Sequence, residues 1–313
     1  MSTANMLSRS PLASTVFVDD SGKKNIRVYF QDPMGNVKET YFRQGDGWHT
    51  RPNNIVGKAT LNNGLAVTNW KNGNEIRVYY LDSNNKIVER CYSGGAAGEW
   101  YDGELTGKHE AAPYTQLSAI SFLHGDIFRI RVYFQGTDDK VHELCRDNQN
   151  PWTLGAQFPV ATKGTCITSS CLRAKPNHIW LFFQTPDLKV VEYLYQGSGS
   201  WKQGIFQSQM LYDPGAYISV SSFGKDSHRV YTVTRDNKLA VTAFDGPANS
   251  WKPTTVITDQ IPFGALAGIP VAGEGEPEPA VRIYNQRKPC EITEWGTYDG
   301  NTYKEIIPSL PIS

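Results

Sequence analysis

The sequence predicts an all-β fold, a six-bladed β-propeller of four-stranded antiparallel blades. The main observation is a fourteen-residue segment, IRVYFQDPMGNVKE from Ile26, which returns in recognisable form five more times at intervals of 49 to 54 residues. A second observation is an excess of residues that favour strands, because Phe, Trp and Tyr make up 12% of the chain. A repeat of this length indicates that one small structural unit is used several times.

The copies of this segment begin at Ile26, Ile76, Ile130, Ile179, His228 and Val281. The six units of about fifty residues account for residues 1–313, which we interpret as a single domain. Each copy has a run of β-branched and aromatic residues, then a turn rich in Asp, Asn, Gly or Pro, then a second run of the same kind. This order predicts a β-hairpin at the centre of every blade.

Two more strands complete each predicted blade. Before the hairpin lies a short run such as LASTVFV from Leu12 or LAVTNW from Leu65. After the hairpin, an aromatic residue opens the fourth strand, at Trp48, Trp100, Trp152, Trp201, Trp251 and Tyr303. Four short strands without helical periodicity favour a propeller, in which radial repetition limits exposed sheet edges. The Gly-His and Trp-Asp signatures of WD40 blades and the double glycine of Kelch blades are missing from this register.

Charge and hydropathy argue against two classes of partner. The chain has 31 Lys and Arg against 31 Asp and Glu, so its formal net charge is zero. Binding to nucleic acids or to anionic membranes relies on clustered positive charge. The sequence also has no run of 18 or more apolar residues, which a membrane-spanning helix requires. We therefore expect neither nucleic-acid binding nor membrane insertion.

The N-terminal segment MSTANMLSRSPLAST has no uninterrupted apolar stretch of the kind that a secretory signal contains. The five cysteines are an odd number at spacings unlike a disulfide framework. We expect a cytoplasmic protein, or one released or exposed at a surface such as that of a spore by a non-classical route. Cys166 and Cys171 either form a disulfide bond or remain separate as small buried thiols.

Four repeats carry an arginine and a glutamate twelve residues apart. They are Arg27 with Glu39, Arg77 with Glu89, Arg131 with Glu143, and Arg282 with Glu294. If the first hairpin turn spans residues 32–36, Gln31 pairs with Val37 and Arg27 opposes Tyr41. Glu39 is then the diagonal neighbour of Arg27 on the same face of the sheet, where the two side chains can meet.

The aromatic residue three positions after the glutamate, such as Tyr92 or Tyr195, is at an odd separation from it. It therefore faces the other side of its own blade, toward the preceding blade. Each junction between blades then combines an Arg and a Glu from one blade with an aromatic residue and a strand-opening Trp from the next. The pattern predicts a composite site that is repeated around the ring.

This combination of side chains suits a neutral polyhydroxylated ligand. A guanidinium only donates hydrogen bonds and a carboxylate only accepts them, so together they read sugar hydroxyls, which do both. Aromatic faces suit the C–H side of a sugar ring. The competing explanation is a cross-strand ion pair with a packing Trp, although exposed ion pairs contribute little to stability.

These residues resemble those of the fungal fucose-binding lectins of the Aleuria aurantia type. The resemblance covers essentially the full length and rests on IRVYFQD, on the Glu twelve residues after the Arg, and on a Trp eight to eleven residues after the Glu. It implies a six-bladed propeller that binds L-fucose between neighbouring blades without catalysis. It also implies fucosylated glycans and glycoproteins on cell surfaces as partners, and is compatible with a homodimer.

The resemblance assigns residues to each junction. The first site would use Arg27, Glu39, Tyr92 and Trp100. The second would use Arg77, Glu89 and Trp152, with Arg146 in place of the aromatic residue. The third would use Arg131, Glu143, Tyr195 and Trp201. The sixth, across the closure of the ring, would use Arg282, Glu294, Phe42 and Trp48.

Two junctions depart further from this pattern. The fourth has Trp180 in place of the Arg, which leaves Glu192 without its partner although Trp251 is present. The fifth keeps Arg229 but has Val241 in place of the Glu. We expect both sites to be weak or empty.

The alternatives are a propeller glycosidase or sialidase and a propeller that binds proteins. A glycosidase needs one set of carboxylates in one pocket, whereas here a single carboxylate recurs at several junctions. Asp-box turns, a Gly-x-Ser-x-Gly turn and a Cys-x-x-Cys pair are missing from the sequence, and its six histidines show no ligand spacing. The sequence therefore predicts neither an enzyme nor a metal or other cofactor.

Overall fold

The computed structural model describes residues 5–94, 99–172, 175–208, 210–246, 250–271 and 281–312, without the side chains of 51–54 and 207. These residues form six four-stranded antiparallel sheets, each made from consecutive strands. This is the predicted six-bladed propeller, and the sheets are numbered as blades one to six. Over the described ranges the chain forms no α-helix, and no helix there could span a membrane.

The strands of the first three blades follow the order of the sequence. Blade one contains β1 (Ala13–Val18), β2 (Lys24–Gln31), β3 (Asn36–Arg43) and β4 (Gly47–Lys58). Blade two contains β5 (Ala66–Trp70), β6 (Glu75–Leu81), β7 (Ile87–Ser93) and β8 (Tyr101–Asp102). Blade three contains β9 (Leu117–His124), β10 (Ile127–Gln135), β11 (Lys140–Asp147) and β12 (Thr153–Val160).

The other three blades repeat this order. Blade four contains β13 (Thr168–Leu172), β14 (Lys175–Gln184), β15 (Val190–Gln196) and β16 (Lys202–Gln207). Blade five contains β17 (Ile218–Phe223), β18 (Ser227–Val233), β19 (Lys238–Asp245) and β20 (Thr255–Asp259). Blade six contains β21 (Leu266–Pro270), β22 (Val281–Asn285), β23 (Thr293–Thr297) and β24 (Lys304–Ile307).

In blades one to three, each central hairpin turn contains one residue in the left-handed backbone conformation. Gly35, between β2 and β3, has φ +82°, and Asn85 and Asp139 have φ +58° and +61° at the equivalent positions of blades two and three. Glycine, asparagine and aspartate tolerate this conformation best. In blade one, Asp32 Oδ1 also accepts hydrogen bonds from the backbone N–H groups of Met34 and Asn36 at 2.8 and 2.9 Å. The turn therefore fixes the register of the hairpin.

The hydrophobic core lies between the blades. Ile26, Val28 and Phe30 of β2 are fully buried and pack against blade six, whereas Tyr29, on the opposite face, packs against blade two. This alternation is the period of two that a central strand requires when both of its faces are covered. The first strands of all six blades surround an axial cavity of about 120 Å³.

The ring closes by side-chain packing between blades six and one. Each of these blades consists only of strands adjacent in sequence, so no strand is exchanged at the closure. Both ends of the chain pack into this junction, with Met6 and Leu310 buried in the same cluster as Ile26 and Tyr284. Because sequence neighbours are also neighbours around the ring, every junction except this one joins consecutive units.

Candidate functional site

The hairpin register brings the first arginine and glutamate together as the twelve-residue spacing predicts. Gln31 pairs with Val37, Arg27 pairs with Tyr41, and Glu39 lies opposite Tyr29. Arg27 Nε is 3.6 Å from Glu39 Oε1, and both side chains are largely buried. Among the described residues, none accepts a hydrogen bond from Arg27. The guanidinium is therefore held beside Glu39, and its buried Nη1 has no hydrogen-bond acceptor in the described part of the chain.

At the first junction, this pair faces aromatic residues of blade two. Tyr92 and Trp100 have ring centroids 5.7 Å apart, and Trp100 meets the ring of Tyr29 edge to face at 6.3 Å. Arg27, Glu39, Tyr92 and Trp100 all line one cavity of about 530 Å³. The structure thus brings together the four residues that the resemblance to the lectin family assigned to the first site.

The third junction has the same arrangement. Arg131 Nε lies 3.8 Å from Glu143 Oε1, and Arg131 Nη1 also donates to Asp147 Oδ1 at 2.8 Å. Blade four supplies Tyr195 and Trp201, whose rings are 5.7 Å apart. Trp201 meets the ring of Tyr133, behind the glutamate, edge to face at 6.2 Å. The additional ion pair with Asp147 holds this arginine more firmly than Arg27.

The sixth junction crosses the closure of the ring. Arg282 Nη1 donates to Glu294 Oε1 at 2.8 Å, and Trp48 of blade one donates its indole N–H to Glu294 Oε2 at 3.2 Å. Phe42 lies under the Arg282 guanidinium at 5.1 Å and beside Trp48 at 5.8 Å. The predicted site therefore assembles from residues about 240 positions apart in the sequence.

Comparison with known proteins shows the family of this chain. A family model described as fungal fucose-specific lectin matches residues 8–312. The chain belongs to the fungal fucose-specific lectin family. The fucose-specific lectin of Aspergillus oryzae is 30% identical over 282 residues, which is 87% of each chain. That of Aleuria aurantia is 28% identical over 303 residues, 92% of each chain.

Solved structures of lectins share the fold. The SapL1 lectin in complex with α-methyl fucoside is 28% identical and superposes with a TM-score of 0.81, covering 100% of both chains. The lectin from Aleuria aurantia, described as a six-bladed β-propeller, has a TM-score of 0.84 at 24% identity and covers 99% of this chain and 98% of its own. This likeness extends around the whole ring.

The second junction of this family member departs from the expectation that its arginine and glutamate meet. Arg77 Nη2 donates to Glu75 Oε2 at 2.8 Å, so its carboxylate partner within the described ranges is Glu75 and not Glu89. Glu89 instead accepts hydrogen bonds from the Tyr79 hydroxyl and the Leu105 N–H. Trp152 lies behind it, 6.3 Å from the Tyr79 ring. Glu75 prevails because it lies two residues from Arg77 on the same face of β6.

At the fourth junction, Trp180 occupies the place of the arginine. It is 6% exposed, and its ring lies 4.3 Å from that of His228. Glu192 is buried with no cation partner among the residues that the structure describes, and burial raises its pKa above the usual value. Trp251 is nevertheless in place, 6.1 Å from Phe182. The missing group is thus the arginine and not the aromatic wall.

The fifth junction is closed by its own arginine. Arg229 is 2% exposed, and its Nε donates to the carbonyl of Gly300 in blade six at 2.6 Å. Its Nη1 pairs with Asp245 Oδ1 at 3.0 Å, and Val241 supplies no carboxylate. A side chain at position 300 would meet Arg229 Nη2 at 2.7 Å, so glycine permits this closure. The guanidinium is therefore covered by the protein.

Sequence reasoning missed the tyrosine that supports each glutamate. The hydroxyls of Tyr29, Tyr79, Tyr133 and Tyr284 donate to the glutamates of their own hairpins at 2.7, 3.0, 2.9 and 3.0 Å. Burial raises the pKa of each phenol well above its usual value, so the hydroxyl stays protonated and remains a donor. The sequence contained this signal, because the tyrosine always lies two residues after the arginine. In blade four, where Trp180 replaces the arginine, Phe182 replaces the tyrosine.

A second missed feature is the aromatic floor under the arginine. The guanidinium groups of Arg27, Arg77, Arg131 and Arg229 lie 5.3, 4.6, 5.9 and 5.2 Å from aromatic ring centroids. The rings belong to Phe17, Trp70, Phe122 and Phe223, near the ends of the first strands. Blade four, which lacks the arginine, has Leu172 at this position. Cation–π contact thus orients the guanidinium.

A third missed feature is a glycine three residues after the strand-opening Trp. Gly103, Gly155 and Gly204 pack so closely against Glu89, Glu143 and Glu192 that an added Cβ would overlap the carboxylate. The outer strand can therefore donate backbone N–H groups to the glutamate, as Ala156 does to Glu143 at 3.0 Å. The motif Trp-x-x-Gly, visible in blades two, three and four, was the available signal.

We expect the substitution Gly155→Ala to destabilise the fold by about 1–3 kcal/mol, because it overpacks a filled space. It should also remove fucoside binding at the third junction by displacing Glu143. Gly204→Ala is the matched control, since the same overlap occurs at a junction that lacks the arginine. Chemical denaturation should show similar losses for both variants, and fucoside titration should lose one site only for Gly155→Ala. Loss of a site in both would contradict the assignment.

One hydrogen-bonded chain resembles the machinery of a hydrolase. Ser222 Oγ lies 2.7 Å from His228 Nδ1, and His228 Nε2 lies 3.3 Å from Asp226 Oδ1. However, Ser222 and His228 are 4% and 1% exposed, so the hydroxyl cannot reach a substrate. Burial lowers the pKa of His228 to about 4, which keeps the ring neutral beneath Trp180. This cluster fills the fourth junction and has no geometry for catalysis.

Proposed function

We propose that this protein is a multivalent, non-catalytic lectin that binds L-fucose and fucosylated glycans between adjacent blades. The observation that carries the proposal is the threefold recurrence of one constellation, at the first, third and sixth junctions. At each, an arginine contacts a buried glutamate and faces a Trp and a second aromatic residue of the next blade. Membership of the fucose-specific lectin family supports fucose as the sugar.

The chemistry of these sites follows from fixed donors and acceptors. The guanidinium donates to sugar oxygens and the carboxylate accepts from sugar hydroxyls, and charge-assisted hydrogen bonds contribute about 1.5–3 kcal/mol each. The aromatic wall covers the C–H face of the ring. Apolar contact with the C6 methyl group of fucose adds about 0.8 kcal/mol of binding free energy. No step of this binding requires a metal ion.

We expect titration with methyl α-L-fucoside to report about three strong sites per chain, unchanged by EDTA. The arginine supplies positive charge at each site, and among the described residues no group of three His, Cys, Asp or Glu could hold a metal. Isothermal titration calorimetry with and without chelator measures both quantities, with methyl mannoside as the control sugar. Six equal sites, or binding abolished by EDTA, would contradict the proposal.

We also propose that the protein acts on glycoproteins at cell surfaces, as a monomer or a homodimer. The outer strands of blades three, four and five each carry one aliphatic side chain that is about two-thirds exposed, namely Leu154, Ile205 and Val256. All five cysteines are free thiols, Cys166 and Cys171 included. Free thiols suit a protein that folds in a reducing compartment and is released or displayed by a non-classical route.

A further inference from the structure

The second junction encloses a cavity of about 670 Å³ whose walls differ from those of the complete sites. Its lining includes Trp70, Lys71, Glu75 and Arg77 from blade two. Blade three contributes Phe128 and Arg146. The volume is within the range of small-molecule sites, about 300–1,000 Å³. The cavity corresponds in place to the first site, so the comparison between the two is direct.

The two cavities carry opposite net charge. The charged residues that line the second are Lys71, Arg77 and Arg146 against Glu75, which gives +3 − 1 = +2. The charged residues that line the first are Arg27 and Arg43 against Asp19, Glu39 and Asp46, which gives +2 − 3 = −1. The repeated binding pattern has therefore been altered at the second junction in the direction of positive charge.

At this junction, the carboxylate of Glu75 is shared by three donor side chains. Glu75 accepts from Arg77 at 2.8 Å and from the Ser93 hydroxyl at 2.9 Å, and its other oxygen lies 3.7 Å from Lys71 Nζ. Glu89 does not line the cavity, and it accepts hydrogen bonds from the Tyr79 hydroxyl and the Leu105 N–H. The acceptor that reads sugar hydroxyls at the complete sites is thus withdrawn, and cationic donors remain.

Arg146 adds a second guanidinium where the first and third junctions have Tyr92 and Tyr195. Its Nη2 lies 3.2 Å from Glu104, a carboxylate outside the lining that Lys108 also contacts at 3.1 Å. Arg146 and Arg77 both oppose the effect of burial, which raises the pKa of the Cys91 thiol to about 12. Both guanidinium groups line the cavity, whereas Cys91 lies outside its lining.

An aromatic platform lies beside these cations. Trp70 and Phe128 have ring centroids 4.6 Å apart with an interplanar angle of 38°, and the Arg77 guanidinium lies 4.6 Å above Trp70. Such a platform suits the C–H face of a pyranose. Guanidinium groups suit a carboxylate or a sulfate, which accept hydrogen bonds from the planar fork. The wall thus offers contacts for a ring and for an anion together.

We infer that the second junction binds a sugar that carries a negative charge, as a carboxylate or a sulfate ester, in place of neutral fucose. The inference rests on the proposed lectin function, because it takes the cavities between blades to be sugar sites. If the inference is right, the protein binds two kinds of terminal sugar, neutral fucose and an acidic sugar.

The test uses the intact protein saturated with methyl α-L-fucoside, so that the complete sites are filled. Calorimetric titration with 3′-sialyllactose, methyl glucuronide and galactose 6-sulfate should show one additional site for at least one of these ligands, at least 10-fold tighter than for neutral lactose. The first two ligands carry a carboxylate and the third carries a sulfate, so the three titrations distinguish these two kinds of negative charge. Raising NaCl from 50 to 300 mM should weaken the additional site several-fold.

Two variants give opposite expected results. Arg146→Gln should weaken acidic-sugar binding at least 10-fold, whereas Glu104→Gln should strengthen it about 3-fold by releasing Arg146 from its competing carboxylate. Arg235→Gln, at a half-exposed arginine on blade five paired with Asp213, is the control and should change nothing. The inference is overturned if every acidic sugar binds no better than lactose, or if Arg146→Gln leaves acidic-sugar binding unchanged.

The fucoside titration separates this outcome from failure of the proposed function. Only the backbone carbonyl of Arg146 contacts a complete site, where it accepts from Arg131 at 3.4 Å, so Arg146→Gln should retain about three fucoside sites. If fucoside binding is present and acidic-sugar binding is not, only the inference about the second junction fails. If the wild-type protein binds no fucoside at all, the lectin function itself fails.

Discussion

The variant that combines Arg27→Ala, Arg131→Ala and Arg282→Ala is expected to lose agglutination of fucosylated cells, with a fall in titre of at least about 100-fold. One small sugar site of this kind binds with a Kd of roughly 10–100 μM, or about −5.5 to −7 kcal/mol. Several sites on one rigid ring make later contacts intramolecular, and avidity then exceeds single-site affinity by about 10² or more. Removing the donor from all three complete sites removes this gain.

The control is Arg229→Ala, which removes the equivalent arginine of the fifth junction. Because Gly300 already covers that guanidinium, this change should leave the agglutination titre unaltered. Circular dichroism and thermal denaturation show whether each variant is folded. The tyrosine hydroxyls still support Glu39, Glu143 and Glu294 in the triple variant.

If the triple alanine variant does not fold, the corresponding Arg→Lys variant decides the question. Lysine keeps a positive charge opposite each buried glutamate but lacks the planar fork of donors. A folded lysine variant should agglutinate at least about 10-fold less well than the wild type. Fucose-inhibitable agglutination at the wild-type titre would show that the arginines support the fold and do not bind the sugar.

The double substitution Trp180→Arg with Phe182→Tyr is expected to create a fourth fucoside site. The fourth junction already has Glu192, Phe244 and Trp251, with the last two rings 5.3 Å apart. It lacks the arginine donor and the hydroxyl that supports the glutamate, and it has Leu172 in place of the aromatic floor. The new cation should also lower the pKa of Glu192, which burial now raises.

Calorimetric titration should show the number of fucoside sites rising from about three to about four per chain. Phe182→Tyr alone is the matched control and should leave the number at about three, because no guanidinium is added. A folded double variant with an unchanged number of sites would mean that the arginine and tyrosine are insufficient. The assignment of roles within the constellation would then be wrong.

The fold was predictable because its information is local and repeated. The position of the turn and the period of two in a strand determine that Arg27 and Glu39 share a face, and the structure has this register. Consecutive units in a closed ring are neighbours, so the partners Tyr92 and Trp100 followed once the repeat was recognised. Even Trp48 and Glu294 could be paired, because a ring joins its last blade to its first.

The repeat also contained information that spacing alone did not interpret. The tyrosine two residues after the arginine and the glycine three residues after the Trp recur in the sequence. Their roles become clear only when Tyr133 is seen donating to Glu143 and Gly155 is seen beneath the same carboxylate. Sequence periodicity assigns a residue to a face of a strand, but it does not identify which atom on that face it contacts.

The sequence by itself determined the number of blades, the register of the first hairpin and the residue types that meet at the first, third and sixth junctions. Tertiary structure decided which arginines remain available. Arg77 turns to Glu75, and Arg229 donates to a carbonyl 71 residues away, although both occupy the same position of the repeat as Arg27. The physical reason is that a long guanidinium side chain reaches several acceptors, and it pairs with the nearest well-oriented one, whose location depends on the loops and neighbouring blade around it.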